Sequence, residues 1–147
     1  MLVMALAAAP TILGQTAKYN LGRTPSQEEI QAMDFVVGPA GKELPPGSGT
    51  AKKGTEIFAQ KCAVCHGPSG EGSKVAPRLV GGEMHPFATT IWSKINASMP
   101  RNLTEIGRRD GTLTPDEVYS LTAFLLFKEN IIKEEDVLDA SSLPRVR

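Results

Sequence analysis

Two cysteines separated by two residues and followed at once by a histidine, in CAVCH at Cys62 to His66, limit what this chain can fold into more than any other feature. They are its only cysteines, so whatever they hold is held at one place and the rest of the fold must form around it. Three chemistries compete. A redox dithiol of the thioredoxin kind needs its CxxC at the end of a strand opening a helix, whereas here the pair follows a helical pattern and opens GPSGEGSKVAPRLVGG, a loop by composition. A structural zinc site needs four Cys or His ligands, and beyond these three the chain offers only His85, beside a proline. Attachment of a c-type haem asks for two thiols at this spacing, to add across two vinyl groups, and a histidine next in line to reach the iron.

The haem reading makes further demands that the sequence can be searched for. Low-spin electron-transfer iron takes a sixth ligand from the opposite side, and Met there raises the reduction potential relative to a second His. Of the five methionines, Met1 and Met4 fall in the N-terminal apolar run and Met33 before the main domain. Met84 sits in a GGEMHP turn too near the attachment loop to reach the other face without a sharp reversal. Met99 follows a helical segment and precedes Pro100, so it is the candidate ligand, with His85 as the alternative and an ordinary helix-end methionine as the bland one. A ligating imidazole usually gives its other N–H to a backbone carbonyl or a carboxylate, and Pro77 in the returning loop supplies a candidate acceptor. Arg78, Trp92 and Lys94 are candidate donors to the propionates; Arg78 also reads as a solvated loop cation and Trp92 as core.

The chain has 147 residues, enough for one domain with extensions. Sixteen Lys plus Arg balance sixteen Asp plus Glu, with no basic stripe bearing aromatics, which argues against a nucleic-acid partner. The opening run MLVMALAAAPTILG has the length of a signal-peptide apolar region and is too short to span a bilayer. Residues 1–18 therefore read as a signal segment for export to the periplasm, although the positive residues expected at its start are missing; an uncleaved anchor and a frayed helix stay open.

Residues 19–49 form an N-terminal arm. TPSQEEIQAM predicts a short helix capped by Thr24 or Ser26, with Pro25 suited to its first turn and Glu28 and Glu29 at the positive end of its dipole. GPAGKELPPGSG is too rich in Gly and Pro for a helix or interior strand, and reads as an extended arm on the surface or as a linker. The main domain, residues 50–127, begins with a helix over Thr50 to Cys62 that puts Gly54, Ile57 and Phe58 on one face. Pro86 to Pro100 carries Phe87, Ile91, Trp92 and Ile95 at helical spacing, in one helix or two. Thr114, Pro115 and Glu117 form a capping box that opens a last helix to Phe127, with Val118, Leu121, Thr122, Leu125 and Leu126 as an apolar stripe about two residues wide. Residues 128–147 form an acidic surface tail that pins Ile131, Ile132 and Leu138 onto the domain. Aromatic residues are few, so a covalent porphyrin would supply the centre of a core that is otherwise modest for its size.

With those elements in place the chain resembles the class I cytochrome c family. The resemblance rests on Gly54 and Phe58, CAVCH, Pro77, Met99-Pro100 and Tyr119, and covers about Thr50 to Phe127. It implies an all-α fold around one covalent haem c, held by Cys62 and Cys65 and ligated by His66 and Met99, with the terminal helices crossing through a glycine and an aromatic. LPPGSGTA, GEGSKVAPRLVGG, FATTIW, LTPDEVYSLTAFLL and IIKEEDVLDASSLPRV are similar to the cytochrome subunits that partner molybdenum sulfite or sulfane dehydrogenases in bacterial sulfur oxidation. That implies an electron-transfer protein rather than an enzyme, taking single electrons from a molybdenum-cofactor subunit and passing them to a downstream cytochrome. A haem enzyme or ligand-binding protein with an open iron is the alternative. Departing from such chains, the Gly82 to Phe87 segment is short and RNLTEIGRRDGT is long; Arg101, Arg108 and Arg109 there read as a basic rim for an acidic partner or as a solvated loop.

Overall fold

The computed structural model describes residues 22–33, 36–82, 87–100 and 113–146. The signal segment proposed from sequence, and the Met84, His85, Arg101, Arg108 and Arg109 candidates, lie outside the described residues. Helix α1 (Gln27–Met33) starts at Ser26, whose hydroxyl accepts from the Glu29 N–H at 3.2 Å while the Glu29 carboxylate accepts from the Ser26 N–H at 2.8 Å. Ser26 is thus the cap, and Pro25 lies before the first turn rather than in it.

Helix α2 (Ala51–Lys61) is capped by Thr50, whose hydroxyl accepts from the Lys53 N–H at 3.3 Å. Its inner face is Ala51, Gly54, Ile57 and Phe58, the face the periodicity predicts. A single turn, α3 (Ala63–His66), follows directly, and the chain from Gly67 to Gly82 then forms no regular element. Pro86 to Pro100 yields one helix, α4 (Ala88–Ser98), which buries Ala88, Ile91, Trp92 and Ile95. Helix α5 (Pro115–Lys128) opens with the expected capping box: the Glu117 N–H donates to the Thr114 hydroxyl, and the Thr114 N–H to the Glu117 carboxylate.

Helix α5 is the axle of the fold, with α2 packed across it and α4 against it. The helices cross where Gly54 has no side chain: a Cβ there would lie 2.0 Å from the Ser120 carbonyl oxygen and 2.7 Å from Phe124 Cβ. The aromatic at the crossing is Phe124, whose ring lies 4.6 Å from that of Phe58. This corrects the expectation that Tyr119 fills the role. Tyr119 turns the other way, to Trp92 at 5.7 Å between ring centroids and to the Pro45 carbonyl, which accepts its hydroxyl at 2.9 Å.

A second correction concerns α5 itself. Instead of a two-residue stripe, nine consecutive residues from Val118 to Leu126 are buried. The arm and the tail enclose the side left free by α2 and α4. Val37 and Leu44 are buried, the Val37 N–H donates to Ser93 Oγ at 2.9 Å, and the Ser48 N–H donates to Asp116 Oδ1 at 2.8 Å. Strand β1 (Ser48–Gly49) runs antiparallel to β2 (Leu138–Asp139), Ser48 opposite Asp139 and Gly49 opposite Leu138. Between the two open readings of this segment, the described part of the arm is therefore packed on the body rather than free as a linker. In the tail, Leu138 is buried and Ile132 half-buried as expected, but Ile131 is exposed. The stronger anchor is Leu143, fully buried in a short 3-10 turn at Leu143–Arg145. Burying a side chain of that size stabilises by roughly 1.5–3 kcal/mol.

Candidate functional site

Cys62 closes α2, its N–H donating to the Phe58 carbonyl at 2.9 Å, and at the same time starts α3. Its carbonyl accepts from both Cys65 and His66, at 3.1 and 3.0 Å. One turn of helix therefore fixes all three side chains of the motif. Both thiols are free and half-buried, and Cys62 packs against the hydrophobic core. As a thiol, Cys62 is pushed up to about 11 by burial, which outweighs the opposing effect of Lys61.

His66 is 7 % exposed, and its Nδ1 lies 2.9 Å from the Pro77 carbonyl oxygen. A carbonyl only accepts, so Nδ1 carries the proton and Nε2 is left with a free lone pair for a metal. The chain gets back from His66 to Pro77 through a folded loop. The Gly72 N–H donates to the His66 carbonyl at 2.8 Å, and the Leu79 and Val80 N–H groups donate to the Gly70 carbonyl at 2.8 and 3.1 Å. Gly72 holds φ at +90°, and a Cβ there would approach Arg78 N to 2.7 Å, so a side chain would push out the limb that carries Pro77. At the loop's end the Gly81 N–H donates to the Glu129 carboxylate at 2.5 Å, tying it to the C-terminus of α5.

Met99 ends α4, its N–H donating to the Ile95 carbonyl at 3.0 Å, and is half-buried against the core. Trp92 is 2 % exposed, and among the described residues its buried indole N–H has no partner, nor has the Thr89 hydroxyl one turn earlier on the same helix. A buried donor without an acceptor is costly, on the order of 1–3 kcal/mol, and two on one helix are what a polar group of a bound cofactor beside it would satisfy. Arg78 is exposed, with Nη1 3.4 Å from the Gly81 carbonyl, and Lys94 is exposed. Among the described residues no three His, Cys, Asp or Glu side chains come together in a way that could hold a metal; His85, the fourth candidate zinc ligand, lies outside them.

Free thiols on one turn, an imidazole with a free Nε2, a methionine at the end of a neighbouring helix and an orphaned indole N–H fit a covalent haem. An all-α fold built on crossed terminal helices and this attachment turn define a class I c-type cytochrome. The chain belongs to that family: the family model described as cytochrome c oxidase, cbb3-type, subunit III matches residues 49–125. The sulfane dehydrogenase SoxCD from Paracoccus pantotrophus contains a chain 34 % identical, with 88 % of this chain and 68 % of that one aligned at a TM-score of 0.71. Cytochrome cL from Hyphomicrobium denitrificans is 29 % identical over 69 % of this chain and 57 % of its own, at a TM-score of 0.37. The chain accordingly carries covalently bound haem c and serves electron transfer. Among the described residues no helix is long and apolar enough to cross a membrane.

The hydroxyls of Thr89 and Ser73 have no counterpart among the sequence candidates. Thr89 lies three residues before Trp92, so a search of the Trp92 helix face for further donors would have found it. Ser73 depends on how the loop folds, and no local signal marks it.

Proposed function

We propose that the chain is a monohaem electron carrier in which Cys62 and Cys65 would hold the haem through two thioether links and His66 Nε2 and Met99 Sδ would ligate its iron. The observation that carries this reading is the 2.9 Å contact between His66 Nδ1 and the Pro77 carbonyl, which leaves Nε2 free next to two unpaired thiols. The haem supplies a centre that gains and loses one electron. The protein's part is to keep both axial ligands in place in either oxidation state, so that little rearranges when the charge changes. Pro77 orients His66 and raises its basicity through the shared proton. Trp92 donates its indole N–H to a propionate, and Arg78 offers its guanidinium at the protein surface. No nucleophile, base or substrate pocket enters the reading. The open-iron alternative has no described feature in its favour.

We further assign the donor as a molybdenum-cofactor sulfite or sulfane dehydrogenase subunit and the acceptor as a downstream cytochrome. Support comes from the 34 % identity to a chain of a sulfane dehydrogenase, which extends over the arm and tail and not only the haem domain. Residues 1–18 direct export, the haem domain spans residues 50–127, and the carrier works in the periplasm. Isolation of the tagged chain from its native host tests the assignment. The expected result is a red protein that recovers a molybdenum-containing subunit and whose haem is reduced on adding sulfite or a sulfane-sulfur substrate. A red protein without molybdenum would overturn the donor; a colourless one would overturn the carrier.

A further inference from the structure

We infer that Ser73 is a positioning residue for His66: its hydroxyl fixes the loop limb that carries the Pro77 carbonyl against the imidazole, and so helps set the reduction potential. The inference rests on the axial role proposed for His66. Ser73 Oγ donates to the Cys65 carbonyl at 2.5 Å, which ties the limb directly to the attachment turn. The same oxygen accepts from the Val75 and Ala76 N–H groups at 3.1 and 3.3 Å, and the Ser73 N–H donates to the Ala76 carbonyl at 2.9 Å. One side chain thus binds the backbone of residue 65, next to the ligand, and closes the turn that delivers residue 77. Pro77 follows Ala76 directly, so the position of its carbonyl is inherited from that turn.

The surrounding bonds show what would survive without the hydroxyl. Gly72 N–H to His66 carbonyl holds the near end of the loop, and Leu79 and Val80 N–H to Gly70 carbonyl hold the far end. Neither involves residues 73–77, where only the backbone bond from the Ser73 N–H to the Ala76 carbonyl would remain. Ser73 is exposed, so water can replace its hydrogen bonds one by one, and removing the hydroxyl costs little folding free energy. What separate waters cannot replace is one oxygen that bridges the Cys65 carbonyl and the Ala76 turn. The limb loosens, the Pro77 carbonyl withdraws from Nδ1, and the imidazole donates less electron density to the iron. The oxidised form loses more than the reduced form, and the potential rises.

Spectroelectrochemical titration of the purified holoprotein tests this with Ser73→Ala, Ser73→Thr and a control, Ser142→Ala, which removes a hydroxyl that accepts from the Asp139 N–H far along the chain. Ser73→Ala should shift the oxidised-to-reduced ratio at a fixed ambient potential toward the reduced form by roughly threefold, the equivalent of a weakened hydrogen bond. Ser73→Thr keeps the hydroxyl and should hold the wild-type potential, as should Ser142→Ala. Exchange of the His66 Nδ1 proton with solvent, followed by NMR, should quicken in Ser73→Ala alone. An unchanged potential in Ser73→Ala, or an equal shift in Ser73→Thr, would overturn the inference while leaving His66 as the ligand. A wild-type protein with haem bound but a nitrogen or sulfur other than His66 on that side of the iron would overturn the ligation reading, and this inference with it.

Discussion

Gly54 and Ser120 meet backbone to backbone: a Cβ on Gly54 would stand 2.0 Å from the Ser120 carbonyl oxygen. The obstacle is main chain in the middle of α5, so it cannot swing aside as a side chain would. Gly54→Ala gains roughly 1 kcal/mol of helix propensity but must push α2 away from α5, and overpacking of this kind typically costs about 1–3 kcal/mol and occasionally more. With backbone as the obstacle the second effect wins. The expected outcome is a net loss of about 2 kcal/mol, read as a lower midpoint in guanidinium denaturation of the holoprotein with an unchanged slope.

Tyr119 joins three layers, with its ring against Trp92 and its hydroxyl on the Pro45 carbonyl of the arm. Tyr119→Phe should cost about 1 kcal/mol, the net worth of one hydrogen bond, and should quicken proteolysis of the arm near Leu44. Burial, with Asp139 adding to it, pushes the Tyr119 hydroxyl from 10 up to about 12. A group whose folded pKa is raised keeps its stabilising effect below the unfolded value and loses it as pH climbs toward the folded one. Wild-type stability should therefore fall between about pH 10 and 12 by more than that of Tyr119→Phe, as read from denaturation midpoints across that range.

Glu117 serves two structures at once, the capping box of α5 and a half-buried ion pair with Lys61 at 2.7 Å that ties the end of α2 to the start of α5. Two replacements separate them. Glu117→Gln can still close the box and should lose only the pair, about 0.5–1 kcal/mol. Glu117→Ala loses both, about a further 1 kcal/mol. Burial alone would raise the Glu117 carboxyl, but the hydrogen bonds from Lys61 and the Thr114 N–H outweigh it and hold the group below its usual value. Its contribution is present above the ordinary carboxylate range and disappears as pH falls through it, so the gap between wild type and Glu117→Gln should narrow in acid. Thermal melts at several pH values read both effects.

What could be read from sequence divides along physical lines. Caps and attachment geometry are local: the Thr114–Glu117 box and the CAVCH turn depend on residues within four positions, and each appears as its pattern predicts. Met99 stands at the end of a helix, as the pattern before Pro100 predicts, and is half-buried. The full burial of α5 is hidden in the sequence because Ser120 falls outside the apolar stripe and both it and Thr122 are polar. Their hydroxyls return to the Asp116 and Val118 carbonyls at 2.7 and 2.8 Å, so they can be enclosed without partners from elsewhere. The covering itself pairs Ser48 with Asp139 across most of the chain, and a two-residue ladder has no periodicity to detect. Tyr119 is expected at the helix crossing, but it lies one residue, about 100° of turn, from Ser120, which shares with Phe124, four residues on, the face that meets Gly54.

Trp92 carries a buried indole N–H without a partner among the described residues. If that N–H serves a propionate, Trp92→Phe keeps the ring packing against Tyr119 and removes only the donor. The propionate charge is then less well neutralised, the oxidised haem is favoured, and the potential should fall. Redox titration of the variant checks this, and its sign is opposite to that expected for loosening His66. An unchanged potential would return Trp92 to the role of a core residue.

Met99 is held by its N–H to the Ile95 carbonyl at the last turn of α4, half-buried against the core. A thioether favours reduced iron relative to an imidazole, so replacing it acts on the potential before it acts on the fold. In Met99→His the far-red absorption band of oxidised protein, the signature of sulfur on the iron, should vanish, and the potential should drop by on the order of 100 mV or more, within the range axial ligands command. Met99→Ala should lose the same band and bind added imidazole or cyanide, which the wild type resists. Visible spectra and a redox titration of the two variants suffice. A band that persists in both would assign the sulfur ligand to another methionine, and a wild type that lacks it would put something other than methionine on that side of the iron.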